Sequence, residues 1–285
     1  MKLEKLIYEG NKILSTCKVD RANYESMLIF SKLNDVKLFN YYLDKDKKIS
    51  PKKVKLFLKK VFQRSLGKPI SKIFGRKEFY SRSFFVNSHT LSPRPESELI
   101  IEIIKKKELG KKRMINILDL GCGSGCLIIS LILELSKKRV VYGTGVDFCP
   151  RALKVAVKNS KFHSVKKYLN FFKSFWFSNI TKKFDIIVSN PPYIKQNEIK
   201  NLADDVKKYD PIIALNGGLT GLDAFKKIAK DAKKHLKPNG YICVEIGFDQ
   251  KKQVKKIFEK ENFITAARYK DYEGRDRVMI FKNKI

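Results

Sequence analysis

The chain has 285 residues and a formal net charge of +32, from 61 Lys and Arg against 29 Asp and Glu. That length allows one large or two modest domains with a substantial core. The longest mostly apolar stretch, Leu127 to Leu133, is far too short for a membrane span, and Met1 to Cys17 carries Glu4 and Glu9 where a secretory leader needs unbroken apolar sequence. The five cysteines (17, 122, 126, 149 and 243) show no paired Cys-x-x-Cys spacing, which fits reduced thiols and a cytoplasmic location. Cys122 and Cys126 read as small packing residues. The scattered His89, His163 and His235 argue against a metal site. Fifty of the 61 basic residues are Lys, spread along the chain, and only eleven are Arg, the usual residue for bidentate phosphate and base contacts. The charge is therefore read as the composition of an A- and T-rich genome, with no stable nucleic-acid binding expected.

Residues 1–66 read as a small helical domain of four helices. Leu3, Leu6, Ile7, Ile13 and Leu14 form the apolar stripe of the first. Ala22 to Leu33 and Asp35 to Leu43 give the second and third. Ser50, as N-cap, and Pro51, at the first helical position, open the fourth, which Gly67-Lys68-Pro69 ends. Residues 67–95 read as a hairpin linker, with an aromatic and β-branched stretch from Phe79 to Val86 and a stiff Pro93-Arg94-Pro95 junction. A helix from Glu96 to Lys107 opens the last domain, 96–285. From Met114 onward strands alternate with helices: 115–120, 140–147, 184–189 and 241–246, with weaker strands near 169–173, 263–269 and 277–282. That alternation predicts an α/β fold with a mostly parallel, doubly wound, Rossmann-like sheet.

Three strand ends carry chemistry. Ile115 to Leu120 runs into Gly121-Cys122-Gly123-Ser124-Gly125 and then an apolar helix, the strand–glycine turn–helix arrangement of nucleotide sites. The spacing is G-x-G-x-G, neither the dinucleotide fingerprint nor a P-loop. Asp147 ends the next strand about twenty residues on, where an acid can accept from ribose hydroxyls or cap the following helix. The strand Phe184 to Val188 runs into Asn190-Pro191-Pro192-Tyr193. Proline lacks the N–H a strand needs, so this is a rigid elbow at the carboxyl end of the sheet. There the Asn190 amide and the Pro191 carbonyl can present two acceptors to one NH2 group, with Tyr193 laid against a planar group. Adenine, guanine and a carboxamide all fit that description.

Together these motifs resemble the S-adenosylmethionine-dependent methyltransferases that modify amide or exocyclic amine nitrogens. Leu91-Ser92-Pro93-Arg94-Pro95-Glu96-Ser97-Glu98 is similar to the L-I-P-R-P-E-T-E signature of the HemK/PrmC family. Ser174-Phe175-Trp176-Phe177 resembles its S-D-W-F segment, and Asp210-Pro211 with Ala214-Leu215-Asn216-Gly217-Gly218 and Gly221-Leu222-Asp223 resembles its E-P…A-L-x-G-G-x-D-G-L-D run. Glu245-Ile246-Gly247 and Asp271 to Val278 match its ending. The resemblance covers roughly residues 66–281. It implies methyl transfer to the glutamine of the Gly-Gly-Gln loop of peptide-chain release factors, and the chain is expected to act as a monomer. By the same resemblance Gly121 to Gly125 back the amino-acid part of S-adenosylmethionine, Asp147 takes its ribose, Trp176 lines its adenine and Asn190 touches both cofactor and substrate. Pro191, Pro192 and Tyr193 complete the substrate elbow.

Phe175 departs from the family, which has an Asp there that contacts the adenine amine, so weakened cofactor binding is expected. Lys72, Ser92 and Asp210 also replace the usual residues. Arg94 and Glu96 read as a structural ion pair, and Glu245 as a packing or capping residue. The competing functions are a nucleic-acid amino-methyltransferase, acting on adenine in DNA or guanine in ribosomal RNA, and a non-catalytic binding module that keeps the fold.

Overall fold

The computed structural model describes residues 1–106 and 113–283. The chain divides into two compact units, Met1–Gly75 with Asp204–Tyr209, and Arg76–Ala203 with Asp210–Ile285.

The first unit begins with α1 (Leu3–Thr16), α2 (Ala22–Asn34), α3 (Asn40–Asp44), α4 (Pro51–Ser65) and α5 (Ile70–Phe74). The stripe of α1 buries Leu3, Leu6, Ile7 and Leu14 against Ile29, Phe57 and Val61. Gly10 lets α1 approach closely, since a Cβ there would stand 2.4 Å from Ser26 Oγ and 2.7 Å from a ring carbon of Phe57. Arg64 pairs with Glu25 at 2.5 Å and ties α4 to α2. The third helix is shorter than its pattern predicts, because Asp35 turns left-handed (φ 51°) and closes α2. Pro51 does open α4, but Ser50 makes no side-chain capping bond. The unit runs on to Gly75, so α5 belongs with these helices and not with a linker.

In the second unit β1 (Arg76–Phe79) and β2 (Arg82–Phe85) form an antiparallel hairpin. Its two-residue turn, Tyr80-Ser81, is left-handed at both positions (φ 50° and 55°), the twist-matched hairpin geometry reached without glycine. Phe79 and Phe84 pack into the same core as Ile100 and Ile104, so the hairpin is part of this unit's core. A short 3-10 turn, Pro95–Ser97, leads into α6 (Glu98–Lys106). The last residue predicted for that helix, Lys107, lies outside the described residues.

The chain then alternates: β3 (Met114–Leu120), α7 (Cys126–Leu135), β4 (Val140–Asp147), α8 (Pro150–Phe162), β5 (Leu169–Lys173), β6 (Phe184–Ser189), α9 (Asp204–Tyr209, counted with the first unit), α10 (Asp223–Ala232), β7 (Leu236–Glu245), α11 (Lys251–Lys260), β8 (Phe263–Lys270) and β9 (Asp276–Asn283). Among the described residues seven strands form one sheet in the order β5-β4-β3-β6-β7-β9-β8. The first five are parallel, and β9 and β8 are antiparallel. Apolar layers cover both faces, one around Ile117, Ile128 and Ile186, the other around Leu118, Ile187, Phe225 and Phe258. Burial on both faces is why β6 is buried at every residue and reads as a continuous apolar run. The strand order reverses between β3 and β6, and ligands of open α/β sheets bind at that switch point.

Candidate active site

Strand register assembles the site. Leu120 of β3 pairs with Val146 of β4 on one side and Ser189 of β6 on the other. The next residues, Gly121, Asp147 and Asn190, therefore leave the sheet side by side. Ser189 Oγ donates to Leu120 O at 2.7 Å and locks the two strand ends together.

The glycine turn is built by backbone bonds. Gly121 and Cys122 both donate to Val146 O at 2.9 Å, and Gly125 donates to Cys122 O at 2.7 Å. Gly121 and Gly123 have φ of 72° and 53°, and a Cβ on either would meet nothing within 4 Å. Glycine is demanded here by the left-handed backbone, and the space it leaves is open to a ligand. Asp147 does two things at once. Its Oδ2 accepts from Gly123 N–H at 2.8 Å, and its Oδ1 accepts from Cys149 N–H at 2.8 Å ahead of α8. Ser124 is buried, and its carbonyl accepts from Asn159 Nδ2 at 2.8 Å; the same side chain bonds Phe85 of the hairpin. Cys122 is also buried, and burial pushes the Cys126 thiol up to about 12, so both cysteines pack and neither is a nucleophile.

Asp119 gave no signal in the sequence. It is 2% exposed at the end of β3, and its Oδ2 has no hydrogen-bond partner. Burial first, and then the nearby Asp147 charge, push its carboxyl up to about 8. A cationic ligand beside the glycine turn would favour the ionised form of that carboxyl.

These elements open onto a cavity of about 540 Å³ lined by Gly121, Gly123, Asp147, Trp176, Asn190 and Pro192, among others. Trp176 is left-handed (φ 52°), and its carbonyl accepts from Ser174 Oγ at 2.8 Å. Phe175 is half exposed on the cavity wall, edge-on to Phe148 at 5.9 Å and 4.5 Å from Lys227 Nζ. Pro191, within the elbow, is buried. Tyr193 turns its hydroxyl to Glu245, donating at 3.2 Å, and burial pushes that phenol well above its usual range.

Gln250, 4% exposed, fastens the elbow from behind. Its Nε2 donates to Tyr193 O at 2.9 Å and to Gly221 O at 3.1 Å, and its Oε1 accepts from Gly247 N–H at 3.0 Å. Gly221 (φ 73°) must be glycine, because a Cβ would stand 2.4 Å from Tyr193 O. Among the described residues no group of three His, Cys, Asp or Glu could hold a metal ion.

The methyltransferase small domain family model matches residues 95–209. A release factor glutamine methyltransferase of Buchnera aphidicola is 36% identical over 96% of this chain and 96% of its own length. The chain belongs to the release factor glutamine methyltransferase family. A second family member, from Agrobacterium fabrum, is 37% identical over 77% of this chain and 76% of its own length. A bifunctional methyltransferase of Rickettsia typhi is 34% identical over 97% of this chain, which spans 56% of that relative's length. Among solved structures, the hMettl16 catalytic domain in complex with a 3′UTR hairpin aligns over 79% of this chain and 81% of its own, with a TM-score of 0.54 at 14% identity. The fold is the Rossmann-like methyltransferase fold.

Two expectations about the family motifs need correction. Arg94 pairs with Asp210 at 2.8 Å, not with Glu96, and Asp210 also accepts from the Ser92 backbone and hydroxyl at 3.1 Å. The proline-rich junction is thus anchored to the start of the Asp210-Pro211 segment. Glu245 is not a simple packing or capping residue, since its carboxylate accepts from both Ser97 and Tyr193.

Proposed function

We propose that this chain transfers a methyl group from S-adenosylmethionine to the side-chain amide nitrogen of the glutamine in the Gly-Gly-Gln loop of peptide-chain release factors. The observation that carries the reading is the common row of strand ends, which presents the glycine turn, Asp147 and Asn190 to one cavity. The orphaned Asp119 oxygen and the open space above Gly121 and Gly123 fit a ligand bearing positive charge. When bound, S-adenosylmethionine supplies a methyl group already activated by positive sulfur. The glycine turn would hold its amino-acid end, Asp147 its ribose and Trp176 its adenine.

The chain's own task is to align a poor nucleophile. A carboxamide nitrogen has a delocalised lone pair, and acceptors on its hydrogens draw off positive charge as the new bond forms. Asn190 Oδ1 and the Pro191 carbonyl take that role. Pro192 keeps the elbow rigid, so little ordering remains at the moment of reaction. Tyr193 steadies the elbow from the side of Glu245. No general base is needed beside the nitrogen, because the methylated amide can lose its proton late. The helical first unit would hold the release factor, and the protein would act as a monomer in the cytoplasm. Among the described residues no helix is long and apolar enough to cross a membrane.

The test offers labelled S-adenosylmethionine together with purified release factor, duplex DNA and ribosomal RNA. Label in the release factor alone is expected. Label in either nucleic acid would transfer the site to an exocyclic amine.

A further inference from the structure

A directed chain of hydrogen bonds stands behind the elbow. Asn190 Nδ2 donates to Ser97 Oγ at 2.8 Å, and Ser97 Oγ donates to Glu245 Oε2 at 2.5 Å. Ser97 and Glu245 are buried, 5% and 1% exposed, and neither lines the cavity. They come from distant places, the turn before α6 and the end of β7. A serine hydroxyl has one proton. An ionised Glu245 can only accept, so it claims that proton and leaves the Ser97 oxygen as an acceptor. The Ser97 oxygen can then receive only the NH2 side of the Asn190 amide. The opposite side of the amide, Oδ1, is left as the acceptor available to a ligand. An overturned amide would set Oδ1 against an oxygen with no proton to give.

We propose that Glu245 and Ser97 are positioning residues that fix which way the Asn190 amide faces, and so make the site accept an NH2 donor. This rests on the reading of Asn190 as the partner of the target amide. Neither residue touches the substrate; both act through Asn190.

The groups facing Glu245 are Ser97, the Tyr193 hydroxyl from the elbow, Arg277 from β9 and the carboxylate of Glu96. Arg277 is itself paired with Asp271 at 3.2 Å and donates to Ile246 O at 3.4 Å. Burial pushes the Glu245 carboxyl up to about 7, while Ser97, Arg277 and Tyr193 hold it from rising further. Once protonated, Glu245 can donate to Ser97, the Ser97 proton can turn toward Asn190, and the amide loses its fixed sense. The oriented state is therefore present above the Glu245 pKa and is lost as pH falls through it.

The experiment measures release-factor methylation by the full chain, with kcat and KM taken across pH 5.5–8.5, for wild type, Ser97→Thr, Ser97→Val and Glu245→Gln. Thr and Val are near-isosteres that differ in the hydroxyl. Ser97→Thr should keep kcat within about threefold, and Ser97→Val should lose on the order of 100-fold, as misorientation at a reacting centre does. Cofactor affinity by calorimetry should change by less than about fivefold in both, because the glycine turn and Asp147 are untouched and at most the one Asn190 contact is disturbed. Wild-type kcat should fall on the acid side of about pH 7, a limb that Glu245→Gln abolishes along with most of the rate. Equal kcat for Thr and Val, or an acid limb that survives in Glu245→Gln, overturns the positioning role alone. Wild type that labels no release factor overturns the substrate reading and this proposal with it. The wild-type pH profile needs no variant to fold.

Discussion

Gln250→Met tests how the elbow is held. Methionine matches the length of glutamine but carries no strong donor or acceptor. The change strips a partner from Gly247 N–H, Tyr193 C=O and Gly221 C=O, three backbone groups at 2.9–3.1 Å from the present amide. Leaving a buried polar group unpaired costs about 1–3 kcal/mol, and the low end suits carbonyls that keep a second lone pair. Three such losses come to about 3 kcal/mol, less any return from a more apolar side chain. At about 2–4 °C per kcal/mol for a domain of this size, the thermal midpoint should drop by roughly 6–12 °C. Hydrogen exchange at the Gly247 amide should quicken, since its acceptor is gone. Turnover should fall with cofactor affinity nearly unchanged, because the loss is on the Tyr193 side of the cavity and not at the glycine turn. A variant that melts within about 1 °C of wild type and turns over at the same rate would refute the clamp.

Gly221→Ala should destabilise the same corner, because its Cβ would stand 2.4 Å from Tyr193 O and 2.6 Å from Gln250 Nε2 on a left-handed backbone; a variant as stable as wild type in urea would contradict this. Phe175→Asp should bind S-adenosylmethionine about fivefold more tightly by calorimetry, as expected for one regained hydrogen bond of about 1 kcal/mol. Equal or weaker binding would mean that the ring, set against Phe148 and Lys227, is an adapted replacement. DNA and RNA should be retained only weakly in filter binding at about physiological salt, without sequence preference, and tight binding to one sequence would reverse the reading of the charge.

Much of the sheet was legible because its central strands are buried on both faces and so read as short apolar runs between helices. The three site motifs were legible for a related reason: each sits where a strand ends, so periodicity located it. Other features depended on folding. Strand β7 begins at Leu236, not at residue 241, because Lys237 to Gly240 bulges out, with Asn239 left-handed, and the ladder to β6 resumes at Tyr241. The hairpin turn at Tyr80-Ser81 carries no Asn-Gly or Asp-Gly to announce it. Asp119 looked like any polar residue near a strand end, and only its burial beside Asp147 gives it meaning. Ser97, Asn190 and Glu245 are 93 and 55 residues apart along the chain, and Arg94 and Asp210 are 116 apart. No local pattern pairs such residues; the strand order brings them together.

Mass spectrometry of the Gly-Gly-Gln peptide after incubation with each enzyme shows directly whether the Asn190 elbow methylates a release-factor glutamine. Wild type should add one methyl group to the glutamine side chain and none when that glutamine is changed to Ala. Asn190→Ala should lose on the order of 100-fold in rate, as expected when one preorganised contact is removed. Its thermal midpoint should move little, since no core volume is deleted. A folded Asn190→Ala protein that methylates the glutamine at the wild-type rate would contradict the claim.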